Sequence, residues 1–463
     1  MRYYESILDT IGHTPLVRLH RVTQDVKPLM LAKVEYFNPG GSVKDRIGIT
    51  MVEAAERTGL LKPGSTIVEP TSGNTGMGLA LAAAIKGYKC VFVMTDKVSE
   101  EKRSLLRALG AEVVICPFTA PYDAPENYHQ VAARLAKEIP GGFSPDQYAN
   151  PANPEAHYRG TGPEIWEDTD GKVTAFVAGV GTAGTIVGTA RYLKEQNPNV
   201  KVIGADPAGS IYSGDAPGAY KVEGIGTDHF PENWDPSVVD EVIRVDDRTS
   251  FQLARRLSRE EGIFAGGSAG TALGAALDYA RRLGPDDAVV VLIPDGGRGY
   301  LSKLYDERWL RENGFYEAPA QPTLAEVLAF RRQVVPEMPM VVGVAPDDPV
   351  AAAIEHFHRY GISQLPVLEA GSIVGSLTEN QLLQRFASGE RLNGQRVRDW
   401  QGPPLPTLPE TAPVREAYTL MAGGQNAVAV TGADGLRGVV SKSDLMEFWA
   451  HTTQAGASTA EKK

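Results

Sequence analysis

The sequence predicts an α/β protein in which a large parallel-sheet domain is followed by a smaller α/β module, and three observations carry that prediction. Short β-branched runs alternate with helical segments from about residue 28 to 305. The runs are almost continuously apolar, as strands covered on both faces of a parallel sheet must be. Beyond residue 325 the pattern changes to two stretches that echo one another.

Taken in order, the predicted strands are LMLAKVE, STIVEP, KCVFVMT, AEVVICP, TAFVAGV, KVIGADP and AVVVLIP. Between them GMGLALAAAIKG, SEEKRSLLRALG and TIVGTARYLKEQ read as helices, the connections that parallel strands require. EAPAQP breaks the pattern with proline and no apolar period, so 1–318 is read as the large domain and 319–324 as a linker. ISQLPVLEAGSIVGSLTENQLL (362–383) and NAVAVTGADGLRGVVSKSDLM (426–446) each run strand, turn, strand ending in Ser/Thr, then a helix opened by a polar residue. A period of roughly 65 residues makes 325–450 a pair of small α/β units. The polar end, 451–463, is expected to be a flexible tail.

At 463 residues the chain exceeds what one core usually organises, and 42% hydrophobic with 22% charged residues supplies enough apolar surface to bury. A net charge of −11 argues against a broad surface for nucleic acid or anionic lipid. The two cysteines, Cys90 and Cys116, lie in β-like runs with no metal-ligand or CxxC spacing, so they read as buried apolar residues and no metal site is expected. MRYYESILDTIGHTP has no basic segment followed by an apolar one, and no uninterrupted apolar stretch reaches the ~18 residues that span a bilayer. The expectation is a cytoplasmic protein without a membrane partner.

Ligands of parallel sheets bind at loops beyond the strand C-termini, and three Gly-rich loops occupy that position. TSGNTG (71–76) follows STIVEP and opens an Ala-rich helix, whose free N–H groups suit a carboxylate. GVGTAGT (179–185) lets backbone approach a phosphate, with Thr182 and Thr185 as further donors. GGSAGT (266–271) is the third, and any one of them alone is as readily an ordinary tight turn. NPGGSVKDR (38–46) adds Lys44 at a helix start after a glycine pair, where a lysine can approach a cofactor.

In this order and spacing, NPGGSVKDR, EPTSGNTG, GVGTAGT, VEGIG and GGSAG resemble the fold-type II pyridoxal-phosphate (PLP) enzymes of the cysteine synthase and cystathionine β-synthase family, over about residues 3 to 315. The repeats resemble tandem CBS (Bateman) domains, which often bind adenine nucleotides or S-adenosylmethionine. The resemblance implies a cofactor, PLP, held covalently by Lys44. It implies a phosphate cup of Gly181, Thr182, Ala183, Gly184 and Thr185, Asn74 at the phenolic oxygen, and Ser268 at the pyridine nitrogen. The amino-acid carboxylate would be held by Thr71, Ser72, Asn74 and Thr75, with Gln147 and Tyr148 of PDQY beside the site. A neutral serine at the ring nitrogen makes a weaker electron sink than a carboxylate would, which favours loss of a β-substituent over transamination. A lysine amine in such a site must be partly deprotonated to react, and once released it can take and return the Cα proton.

Two departures stand out. Ala183 occupies a place where the family commonly has glycine, and if the position needs positive φ the alanine is strained. In the module, SKSD offers Ser441 and Asp444 as a ribose-binding pair, whereas LTEN offers Thr378 with Asn380 in place of the acid, so one nucleotide site is expected rather than two. No haem is expected, since no Cys/His segment precedes the domain.

The leading function is β-replacement, L-serine with L-homocysteine giving L-cystathionine and water, extending to hydrogen sulfide production and regulated at the CBS module. The rivals are a cysteine synthase using O-acetylserine or O-phosphoserine with sulfide, to which YRGTGPEIWEDT is similar, and a catalytically silent nucleotide-responsive scaffold, against which Lys44, Asn74 and Ser268 argue. Arg159 reads as a surface ion-pair residue in preference to a phosphate ligand. The resemblance also implies a homodimer or higher homo-oligomer.

Overall fold

A computed structural model describes every residue except 2, 72, 122, 317–320, 393 and 461–463, and describes 452–460 by backbone alone. It divides into two compact units, Met1–Tyr316 and Glu317–Lys463.

All seven predicted strands form in the first unit, six of them largely buried along their apolar runs and the seventh, Glu112–Cys116, at a sheet edge with only Cys116 buried. Ala288–Ile293 is the extreme case, with all six residues buried. It lies inside a six-stranded sheet ordered Leu16–Arg18, Leu29–Val34, Ala288–Ile293, Ala175–Gly179, Lys201–Pro207, Glu241–Val245. Only the first pair is antiparallel. A second, wholly parallel sheet is ordered Glu112–Cys116, Lys89–Thr95, Thr66–Pro70, Gly142–Phe143. Parallel-rich sheets were expected, but the assignment of strands to each sheet, the short edge strands Leu16–Arg18 and Gly142–Phe143, and Glu241–Val245 were not. Glu241 and Arg244 break the apolar run of that last strand, as an edge position allows.

One close crossing sets the geometry of the site. The helices Lys44–Thr58 and Asn74–Lys86 touch through Gly48 and Gly78, and a Cβ on either glycine would collide with the other helix's backbone. Only glycine at both positions lets the helix starts that carry Lys44 and Asn74 come together. Both cysteines are buried and free, and burial pushes the Cys90 thiol up to about 12, so neither is available as a nucleophile. Among the described residues no group of acids, histidines and cysteines could hold a metal ion, and no helix is long and apolar enough to cross a membrane.

The second unit shows the repeat in its register. Gln364–Glu369 pairs with Ser372–Thr378, and Ala427–Gly432 pairs with Gly435–Ser441, each antiparallel with an irregularity late in the first strand. A parallel neighbour joins each hairpin: a single bridge from Val344 to Val367 in one, and strand Thr407–Pro409 in the other. The expected linker ends early. Thr323 and Glu326 form a capping box, and Leu324, fully buried, opens helix Leu324–Val334, so those two residues belong to the module. Residues 319 and 320 lie outside the described residues. The last helix, Lys442–Ala460, runs into the segment expected to be a tail.

Candidate active site

The loop that presents Lys44 is built by a buried acid. Glu35 accepts from Thr14 (2.6 Å), from the amide of Asn38 (3.0 Å) and from Arg46 at 2.7 and 2.9 Å. The Asn38 amide also holds the carbonyls of Glu35 and Ser42. Arg46 spans Glu35 and Glu164, and the guanidinium with the Lys33 ammonium holds the Glu164 carboxyl down at about 2. A fork of this kind uses all of arginine's geometry and fixes the first turn that carries Lys44.

Lys44 is half-buried at the wall of a cavity of about 400 Å³. Desolvation lowers its amine from 10.5 to about 8, an effect that the Asp295 and Glu35 carboxylates only partly offset. A substantial fraction is therefore neutral and nucleophilic near physiological pH. Loops from both sheets line the same cavity: Thr71, Asn74 and Thr75, then Gln147 and Tyr148, then Gly181 and Thr182, then Ser268. A narrower recess shares Lys44, Gly181 and Thr182 and adds Ala183 and Thr185. Every predicted site residue of the first unit that is described thus borders one space, except Gly184, which packs against the Asn153 side chain. Ser72 lies outside the described residues.

The cup fits a phosphate. It opens helix Gly184–Gln196, whose first N–H groups have no partner within the helix. Ala183 has φ +63°, the left-handed conformation anticipated as strained, at a cost of about 1 to 2 kcal/mol. A Cβ on Gly184 would strike the Asn153 side chain, so glycine is required there. Two residues that the sequence did not single out aim the hydroxyls. The Asn153 amide donates to Thr182 Oγ1 at 3.0 Å, while its buried Oδ1 has no partner. The His157 ring bridges Thr161 at 2.9 Å and Thr185 at 3.1 Å. Burial, with Lys44 and Arg46 adding repulsion, keeps that imidazole well below its ordinary value, so it is a neutral donor and acceptor. His157 begins a single π turn, His157–Thr161, a distortion frequent at functional sites.

Around Asn74 lies a second set that sequence reasoning missed. Its amide donates to Asp295 at 2.8 Å, Tyr300 donates to the same carboxylate oxygen at 2.5 Å, and Lys102 approaches Tyr300 at 3.0 Å. Lys102 pairs with Glu223 at 3.0 Å, and Lys303 pairs with the other Glu223 oxygen. Asp295 follows the final strand, in the PDGG segment, which is where the strand-end rule would have pointed. Gln147 accepts from Thr75 at 2.6 Å, and its backbone donates to buried Glu69. Arg159 is exposed and pairs with Glu155, outside the cavity, as a surface ion pair.

In the second unit the ribose-binding pattern is used locally. Asp444 Oδ2 accepts from the Ser441 backbone at 2.7 Å and hydroxyl at 2.6 Å, and its Oδ1 faces Arg331 at 3.5 Å. Thr378 and Gln381 make the equivalent helix cap in the first repeat. Both signatures act as caps whatever else they bind.

Comparison with known proteins gives the same division. Residues 7–295 match the pyridoxal-phosphate dependent enzyme family, and 337–388 and 397–451 each match the CBS domain. A cystathionine beta-synthase of Dictyostelium discoideum is 44% identical over 394 residues, 83% of this chain and 79% of that protein. The Saccharomyces cerevisiae cystathionine beta-synthase is 40% identical over 423 residues, 85% of this chain and 83% of that one. Among solved structures, the O-acetylserine dependent cystathionine beta-synthase from Helicobacter pylori is 39% identical with a TM-score of 0.61, covering 65% of this chain and 99% of its own. A hydrogen sulfide-producing enzyme from Fusobacterium nucleatum is 38% identical with a TM-score of 0.62, covering 65% and 100%.

Proposed function

The chain belongs to the pyridoxal-phosphate dependent enzyme family, with a tandem pair of CBS domains, and on that premise we propose that it joins L-serine to L-homocysteine, giving L-cystathionine and water. The coarser statement, PLP-dependent β-replacement, rests on the relatives. The cavity supports the same coarse reading by bringing a partly neutral lysine, an anion cup and a second helix-start loop together, and the finer one is supported by the names of those relatives, both cystathionine beta-synthases.

When bound, PLP supplies the electron sink that makes the β-substituent of an amino acid a leaving group. The residues divide the remaining work. Gly181 to Thr185 would hold the phosphate, with Asn153 and His157 keeping the two threonine hydroxyls aimed. Asn74, itself held by Asp295, would meet the phenolic oxygen, and Ser268 the pyridine nitrogen. Thr71 and Thr75 offer hydroxyls, with the helix-start N–H groups, to the substrate carboxylate. Lys44 is placed to carry the cofactor, then to take the Cα proton and hand it back, which its lowered amine favours.

O-acetylserine as the first substrate has the support of the Helicobacter pylori relative, which is itself a cystathionine beta-synthase, and with sulfide as nucleophile it would make this chain a cysteine synthase. Arg159, exposed and paired outside the cavity, gives no support to O-phosphoserine. One experiment separates them: steady-state rates with serine, O-acetylserine and O-phosphoserine, each with homocysteine and with sulfide. The proposal expects the highest kcat/KM for serine with homocysteine. A strong preference for O-acetylserine with sulfide would replace it with the cysteine-synthase reading.

The same proposal extends to regulation: an adenosyl-containing ligand binds the second repeat and biases the catalytic unit, in a homodimer of the cytoplasm. Binding regulates only through unequal affinity for two arrangements of the protein. Calorimetry with S-adenosylmethionine, AMP and ATP, beside the activity of a chain ending at residue 318, tests both halves. No binding together with unaltered kinetics would reduce the module to a structural role.

A further inference from the structure

The cavity holds one ammonium group that the proposed chemistry leaves unused. Lys97 follows strand Lys89–Thr95 and lines the large cavity, but it is absent from the recess that Lys44 shares with the phosphate cup. It therefore belongs to the part of the cavity away from that cup, together with Phe118, Tyr128, His129 and Tyr220. The other two lysines nearby, Lys102 and Lys303, are each ion-paired with Glu223. Among the described residues no carboxylate comes within ion-pair distance of Lys97.

The amine is nonetheless held in place. It stands 4.6 Å from the centre of the Phe118 ring and 5.5 Å from that of Tyr220, and it donates to the Tyr220 carbonyl at 3.1 Å. Two aromatic faces stabilise a cation there, and one hydrogen bond leaves two of its three donors open. Lys303 donates to the Lys97 carbonyl at 2.8 Å, so the backbone is fixed to the Glu223 cluster as well. Desolvation lowers the amine from its ordinary value, the expected cost of an ammonium half-removed from water, which the Glu223 and Asp247 carboxylates, beyond ion-pair distance, only partly offset. An anion arriving at this end of the cavity would supply a closer counter-charge.

The amino-acid substrate does not need it, because its carboxylate has the 71–76 loop. Sulfide does not need it either, having no carboxylate to place. An amino-acid thiol does. We infer that Lys97 is the anchor for the carboxylate of the second substrate, and that it makes the enzyme selective for an α-amino-acid thiol over sulfide. This rests on the β-replacement reading given above and names the residue that would decide the nucleophile. Lys97 is thus a specificity-determining residue rather than a catalytic one, since it touches no reacting atom.

The test compares wild type, Lys97→Ala and Lys97→Arg at fixed saturating serine, varying homocysteine in one series and sulfide in the other. A charge-assisted contact of this type predicts a homocysteine KM raised roughly 10- to 100-fold in Lys97→Ala. Lys97→Arg should recover most of that loss, while kcat/KM for sulfide falls by no more than about twofold in either variant. The sulfide series doubles as the folding control. Equal losses with both nucleophiles, or a homocysteine KM within twofold of wild type in Lys97→Ala, would overturn the assignment. A wild type that turns over sulfide but no amino-acid thiol would overturn this inference and the proposed function together, whereas an unaffected Lys97→Ala in an enzyme that uses homocysteine overturns this inference alone.

Discussion

The two units of this chain carry polar motifs of similar length at similar places, the turn between a strand and a helix, and fold them to different ends. In Met1–Tyr316, the loops at 71–76, 179–185 and 266–271 leave hydroxyls and helix-start N–H groups open to a cavity. In Glu317–Lys463, Ser441 and Asp444 turn back on one another, and Thr378 does the same with Gln381. The difference lies in the backbone. The helices that start at Gly184 and Gly267 have no side-chain cap, so those starts stay available to a ligand, while at 71–76 the Thr71 hydroxyl takes the Gly73 and Gly76 N–H groups and leaves the others free. A Ser-x-x-Asp start caps itself, and whatever binds there must share the groups or displace them.

Five changes would break or sharpen that contrast, the largest first. Lys44→Ala should lower turnover by at least ~10³-fold, since one amine serves both attachment and proton transfer. The melting temperature should stay level or rise, because burial already holds that amine at about 8 and its removal relieves a desolvation cost. Ser268→Asp should slow β-replacement by ~10²-fold and alter the absorption of the bound cofactor. Unchanged rates and spectra would separate Ser268 from the ring. Glu223→Gln leaves Lys102 and Lys303 without their counter-charge at a buried position, and thermal or urea unfolding should register a loss of about 3 kcal/mol. A much smaller loss would mean that water reaches the pair.

The fourth is a pH effect. The rate at which PLP reconstitutes the stripped enzyme depends on neutral Lys44, whose amine titrates at about 8. The rate should rise by about tenfold per pH unit well below that value and level off above it. A flat profile from pH 6 to 9 would show that attachment does not wait on this amine. The smallest effect belongs to the second unit. Asp444→Ala removes a helix cap and should cost the module about 1 kcal/mol with no nucleotide present. No loss of stability, with loss of nucleotide binding, would reverse the reading of Asp444 as a cap first.

What was legible in the sequence follows from the same physics. Six strands were visible because burial on both faces writes itself as an unbroken apolar run, and the edge strand Glu112–Cys116 was visible because VVIC stays apolar although mostly unburied. The 71–76 and 179–185 loops were visible because glycine-rich turns at strand ends are short and contiguous, whereas the roles given to Lys44, Asn74 and the 181–185 cup came from the family resemblance. Glu241–Val245 was not visible, since an edge strand tolerates the charges that hide it. Asp295, Tyr300, Glu223 and Lys102 were missed because they meet only in space, up to 221 positions apart in the case of Asn74 and Asp295. Asn153 and His157 were missed because their work is to orient other side chains, a role with no signature of its own. The module's repeat was legible, and so was the self-capping of its polar residues in the Thr-x-x-Gln and Ser-x-x-Asp spacings, which were read as ligand groups instead.

The central claim is that one lysine among several in this unit is set apart by its surroundings. Reduction of the holoenzyme with borohydride, followed by proteolysis and mass mapping, tests it most directly. The account predicts a pyridoxyl label on the peptide that carries Lys44 and on no other. A label on Lys97, Lys102 or Lys303 instead would contradict it.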